Sequence, residues 1–130
     1  MNTKDHLNEK LKDHLLTIYQ LCSENRVARA KEIAARLRIR PYAVTAALRA
    51  LGDLGLINYA PYDVITLTRD GEEMARRIMQ RQQALADFFI EVLEVEPDDA
   101  QQAAARMEHH MPRLILDKMM LFPRRSRDEK

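Results

Sequence analysis

Guanidinium groups are the most concentrated chemistry in this 130-residue chain. Seven basic residues lie between positions 26 and 49 (Arg26, Arg29, Lys31, Arg36, Arg38, Arg40 and Arg49) against one acid, Glu32. A guanidinium offers a planar fork of donors that matches phosphate oxygens, so such a block suits a polyanion. Among these arginines stand Pro41, Tyr42, Ala43 and Thr45, which bring hydroxyls and small apolar groups. From 91 to 110 the balance reverses, with Glu91, Glu94, Glu96, Asp98, Asp99 and Glu108 against Arg106 alone. The net charge of +1 therefore averages a basic lobe and an acidic one, suited to polyanion binding and to sensing or pairing. Two ordinary solvated helix faces would give the same counts.

Other chemistries are poorly supplied. There is no Ser-His-Asp set, no phosphate-cradling glycine loop among only three glycines, and no Cys-x-x-Cys pair, so no catalytic residue and no enzyme is expected. Cys22 is the single cysteine, which rules out an intrachain disulfide and suits a reducing cytoplasm. It falls at the apolar end of a helix, where a buried structural thiol is expected rather than a redox sensor. Met107, Met111, Met119 and Met120 could form a soft thioether site. Beside Leu114, Ile115 and Leu116 at helical spacing, they read instead as a dimer core. No run of eighteen apolar residues exists, so no membrane span is expected, and the first residues lack the apolar core of a secretion signal.

The elements that must position the basic block follow from periodicity. Leu7, Leu11, Leu15, Ile18 and Leu21 recur at three- and four-residue spacing and predict a helix over about 4–23. A short helix over 30–37 buries Ile33, Ala34 and Leu37. The break Arg38-Ile39-Arg40 follows, then Pro41, which is tolerated at a first helical position because its missing N–H would be unpaired there anyway. That helix runs to about Leu54, burying Val44, Leu48 and Leu51, with Gly55 as its stop. Extended runs at 56–59 and 64–67 predict a hairpin. Thr68 is a natural N-cap for a long helix with Glu72 and Glu73 in its first turn and a stripe of Met74, Ile78, Leu85, Phe88, Phe89 and Val92. Pro97 opens a helix through Met111, and Pro112 opens a last one ending near Phe122.

Helix, tight turn, helix and two-stranded wing is the order of a winged helix-turn-helix, here over residues 28–67. The second helix of such a pair can lay its N-terminal residues in the major groove of DNA, about 12 Å wide. Arg36, Arg38 and Arg40 surround that end and suit phosphates; Tyr42, Ala43 and Thr45 suit base edges and thymine methyls; Arg49 reaches a phosphate or a guanine. The fold class is mainly α, an N-terminal winged helix-turn-helix plus a C-terminal helical dimerisation domain. The expected domains are 1–70 and 71–122, with a disordered tail over 123–130. A scaffold or protein-docking module would use the same three-helix unit.

Asp13-His14-Leu15-Leu16-Thr17-Ile18-Tyr19, Ala30-Lys31-Glu32-Ile33-Ala34 and Arg40-Pro41-Tyr42-Ala43-Val44-Thr45 resemble the diphtheria toxin repressor and manganese transport regulator family. So do Gly55-Leu56-Ile57-Asn58-Tyr59, Leu67-Thr68-Arg69-Asp70-Gly71 and Glu108-His109-His110, in order across about 10–122. The length resembles the short members without an SH3-like domain. The resemblance implies a homodimeric repressor, paired through its C-terminal helices on a palindromic double-stranded operator. It also implies Mn²⁺ or Fe²⁺ as corepressor. The residues that carry over as ligands are Asp13, Glu108 and His109, a hard-to-borderline donor set.

Three expected ligand positions depart from the family pattern: Leu16, Gln82 and Ala105 stand where further donors belong. His14 and His110 point about 100° away from their neighbours on a helix and do not simply replace them. The wing departs too, with Asp63-Val64 after Tyr62 where the family often has a basic residue and a glycine; phosphate would repel that acid. Two alternatives stay open, namely a metal-independent or differently triggered regulator, and an interaction module that has lost operator binding.

Overall fold

The computed structural model describes residues 7–60 and 64–122. Its chain order is α1 (Glu9–Asn25), β1 (Ala28–Arg29), α2 (Ala30–Leu37), α3 (Pro41–Asp53), β2 (Ile57–Ala60), β3 (Val64–Leu67), α4 (Arg69–Glu91), α5 (Pro97–His110) and α6 (Arg113–Met120). The chain divides into two compact units, Met1–Arg76 and Arg77–Lys130, so α4 gives its first two turns to one and the rest to the other.

In the first unit the helix ends are set by local chemistry. Asn8 caps α1 by accepting from the Leu11 amide at 2.8 Å, which starts the helix later than the apolar spacing alone suggests. At its far end Arg26 turns left-handed (φ 71) and its amide reaches the Cys22 carbonyl at 2.8 Å. Arg38 closes α2 in the same way, with φ 58. Pro41 occupies the first turn of α3, as its fixed φ favours, and Gly55 takes φ 76 just after that helix. Leu15, Ile18, Ile33, Val44, Leu48, Leu51, Leu56 and Ile65 are all fully enclosed and form the core behind the two short helices.

The wing has three strands rather than two, in the order β1-β3-β2 and antiparallel throughout. Ala28 pairs with Ile65, and Ile57 with Leu67. A two-residue strand is too short to show alternation, which is why periodicity passes over β1.

The start of α4 is anchored to the turn between α3 and β2. The Thr68 hydroxyl donates to the Gly55 carbonyl at 2.7 Å and accepts from the Gly71 amide at 3.0 Å; the Thr68 amide donates to the Leu56 carbonyl at 3.1 Å. Gly71 is buried against that strand entrance, where a Cβ would stand 1.8 Å from the Leu56 carbonyl oxygen. Only a residue without a side chain permits this approach. It keeps residues 71–76 with the first unit, beyond the expected division at 70/71.

The second unit has its own core of Leu85, Ala86, Ala100, Ala104 and Leu116, with Phe89, Ile90, Val95, Met111 and Met119 packed against it. Val92 lies past the end of α4 and is exposed rather than part of the buried stripe. The alanines at 86, 100 and 104 add little bulk to this core, and the sulfur side chains of Met111 and Met119 pack against it. Among the described residues no helix is long and apolar enough to cross a membrane. The tail over 123–130 and Asp63 lie outside the described residues.

Candidate nucleic-acid interface and metal-ligand positions

The first turn of α3 is open to solvent. Val44, Ala47, Leu48 and Leu51 face the core, and the 3.6-residue repeat then turns Tyr42, Thr45 and Arg49 outward. Tyr42 is 74% exposed, a large aromatic that gains nothing from the fold. Arg38 and Arg40 flank it, both exposed, the first left-handed at the end of α2 and the second extended immediately before Pro41. Ala43 is half-buried, and the Thr45 hydroxyl donates back to the Pro41 carbonyl at 3.3 Å while staying exposed.

Arg36 differs from its neighbours. Its guanidinium makes a bidentate pair with Glu24 on α1, with both contacts at 3.2 Å. That hydrogen-bonded carboxylate holds the Arg36 charge above its ordinary proton affinity. The group thus braces α2 against α1 and is less available to a phosphate than Arg38, Arg40 or Arg49. Sequence spacing gives no sign of this contact, since Glu24 is twelve residues away on another helix.

The residues that carry over as metal ligands fall in different units. Asp13 is exposed on α1, in the first. In the second, Glu108 is only 2% exposed on α5, and the half-buried His109 has a buried Nδ1 with no hydrogen-bond partner among the described residues. His14 is buried, with Nδ1 donating to the Lys10 carbonyl at 2.8 Å. At the other expected positions, Leu16 has no donor atom, Ala105 is exposed and Gln82 is neutral. Among the described residues, no three His, Cys, Asp or Glu side chains converge to hold an ion. The set carried over comes to two carboxylates and one imidazole, with no donor at 16 or 105 and a neutral amide at 82.

A buried titratable group of the second unit was not singled out from the sequence. Arg81 on α4 is buried, with Nη2 3.8 Å from Asp117 Oδ1 on α6. Its signal was legible: Ile78, Arg81 and Leu85 share the i, i+3, i+7 stripe of the buried face.

Cys22 is half-buried, its thiol 3.8 Å from the Ile65 carbonyl. Burial pushes the thiol's proton affinity up, partly offset by a backbone hydrogen bond at Leu67. That is the environment of a structural cysteine.

A helix pair with an open N-terminal turn, an arginine collar, a wing and a separate helical lobe define a winged helix-turn-helix regulator. Comparison with known proteins carries this further. Residues 6–65 match the iron dependent repressor N-terminal DNA binding domain, and residues 68–127 the iron dependent repressor metal binding and dimerisation domain. The chain belongs to the iron-dependent repressor family, whose members are metal-dependent DNA-binding transcriptional regulators.

It is 33% identical over 124 residues to an uncharacterized HTH-type transcriptional regulator of Methanocaldococcus jannaschii, covering 95% of this chain and 99% of that one. To the transcriptional regulator MntR of Escherichia coli O6:H1 it is 35% identical, over 90% of this chain and 75% of that protein. The crystal structure of T. acidophilum IdeR shares the fold, with a TM-score of 0.72 at 18% identity over 84% of this chain. This chain spans about half of that structure's length, 51%.

Proposed function

We propose that the protein is a cytoplasmic homodimeric repressor that reads a palindromic operator with the first turn of α3. The observation that carries this reading is the outward turn of Tyr42, Thr45 and Arg49 between the exposed Arg38 and Arg40. Tyr42, Ala43 and Thr45 meet base edges in the major groove, Pro41 sets the helix at its floor, and the arginines grip flanking phosphates. Arg36 contributes through position, since its charge is already paired with Glu24. Dimerisation falls to the second unit, where Leu114, Ile115, Leu121 and Phe122 leave an apolar face exposed.

Selection from a randomised duplex pool tests this. The expected outcome is enrichment of an inverted repeat whose affinity falls steeply with salt. Absence of any enriched motif, with affinity no greater than that of a charge-matched control protein, would leave only an interaction module.

A metal-dependent form of the same function would use Asp13, Glu108 and His109 for Mn²⁺ or Fe²⁺, supported by the buried, unbonded Nδ1 of His109. The replacement of donors by Leu16, Gln82 and Ala105 favours the metal-independent form. Anaerobic calorimetry with each ion separates them. Saturable binding abolished by Glu108→Ala supports the first; no heat up to about millimolar ion, the range of the weakest functional sites, supports the second.

A further inference from the structure

We propose that the groove between the end of α3 and strand β2 binds an apolar L-amino acid, held by Arg49 and Asp53, and that this ligand draws Arg49 off the operator. The site belongs to the first unit alone; only its effect on DNA rests on the reading role of α3.

The groove is open, about 470 Å³ in volume, and its lining joins the buried Leu48 and Ile57 to the exposed Arg49, Asp53, Asn58 and Tyr59. That volume falls within the range of about 300–1,000 Å³ usual for small-molecule sites. Gly52 also lines it, and a Cβ there would meet nothing within 4 Å. An alanine would fit that space and favour the helix, so glycine serves neither the packing nor the propensity of α3. Asp53 is the last residue of α3, the end where the helix dipole disfavours a carboxylate. Two adjacent residues thus depart from what the helix prefers, and both open on one groove. Such departures concentrate where a chain binds something.

Arg49 and Asp53 stand one turn apart on the same helix face. Among the described residues neither makes an ion pair, with the other or with a third group. Opposite charges held open at this spacing suit a ligand that carries both. An α-ammonium meets the Asp53 carboxylate, reinforced by the negative end of α3. The Asn58 amide nitrogen already donates to the Thr66 hydroxyl at 3.2 Å, which leaves its carbonyl oxygen to accept from the same ammonium. The α-carboxylate meets the Arg49 guanidinium, a fork that matches it. An apolar side chain then lies over Leu48 and Ile57, beside the Tyr59 ring. A nucleic-acid strand fits this end of α3 less well, since Asp53 repels phosphate, and one carboxylate is too few for a divalent ion.

Thermal unfolding of the full chain without DNA reads the site. The probes are L-leucine, L-isoleucine, L-valine, L-methionine and L-phenylalanine. At about 10 mM at least one should raise Tm by about 2–5 °C, as expected for a dissociation constant of about 1 mM. The deaminated and decarboxylated analogues of that amino acid (isocaproate and isoamylamine for leucine) should each give less than about 1 °C, because each loses one charge contact. Asp53→Asn and Gly52→Leu should abolish the shift, the first by removing the ammonium partner and the second by filling the groove. Gly52→Ala should itself be at least as stable as wild type.

Three outcomes overturn the site: no probe shifts Tm, the single-charge analogues shift it as much, or Asp53→Asn keeps the full response. If Gly52→Leu does not fold, the exposed Asp53 variant decides. Fluorescence anisotropy on the selected duplex reads the effect on DNA. A saturating probe should weaken duplex affinity about five- to tenfold, and an unchanged affinity would overturn the effector role. If no duplex binds at all, the DNA reading has failed, and the Tm shifts still decide the site.

Discussion

The two units use the same functional group to opposite ends. In the first, Arg38, Arg40 and Arg49 hold their guanidinium groups in solvent around an open helix turn. In the second, Arg81 is drawn onto the apolar stripe of α4, with the Asp117 carboxylate 3.8 Å away. An exposed guanidinium keeps its donors for an external anion; a buried one must satisfy them internally or lose its charge. Accessibility rather than residue type decides which arginine binds a ligand and which one braces the fold. Arg36 stands between the two cases, surface-exposed yet tied to Glu24.

The contrast can be broken at several points. The largest effect is expected at Gly71. An alanine there would gain up to about 1 kcal/mol of helix propensity, but its Cβ would strike the Leu56 carbonyl, and the backbone must shift. Gly71→Ala should cost more than about 3 kcal/mol in chemical denaturation, towards the upper end for overpacking. A protein of unchanged stability would show that the α4 start is not seated on the strand entrance.

Arg40→Ala comes next. It should weaken duplex binding about tenfold and reduce the slope of log affinity against log salt by about one, as expected for a lost phosphate contact. Fluorescence anisotropy at several salt concentrations reads both, and an unchanged slope would remove Arg40 from the interface. Thr68→Ala removes an N-cap and the bond to Gly55 together and should cost about 1–2 kcal/mol in a urea titration. Arg36→Ala should change duplex affinity less than about threefold, because its charge is already spoken for by Glu24. A loss equal to that of Arg40→Ala would erase the distinction between them.

The smallest effect concerns Cys22. Its folded-state proton affinity is raised by burial, so the stability it contributes is full below the unfolded thiol pKa and is lost as pH rises through the folded value. Modification by a thiol reagent near pH 8 should run several-fold slower than in the urea-unfolded chain. Equal rates would mean the thiol is open.

Much of this was legible in the sequence. The helix pair at 30–37 and 41–53, the Thr68 cap and the proline-opened α5 follow from capping and periodicity, signals local to a few residues. The outward set of Tyr42, Thr45 and Arg49 followed from which residues of that helix are apolar. Long-range contacts were less legible. The Arg36–Glu24 pair joins residues twelve apart, and β1 is a strand only because β3 passes beside it. Gly71 carried no local sign of its purpose, since its need arises from the backbone of Leu56. Arg81 was readable and overlooked, because an arginine on a helix is ordinarily assigned to solvent unless its heptad position is checked.

The anchoring of Thr68 and Gly71 has a consequence for motion. Between a wing and a long helix one would expect a supple joint whose amides trade protons with water within seconds. Here the Thr68 and Gly71 amides are both engaged, one on Leu56 and the other on the Thr68 hydroxyl. In deuterated water these two positions should therefore retain their hydrogens nearly as long as the middle of α3, so the base of α4 behaves as a post set in the wing rather than as a hinge.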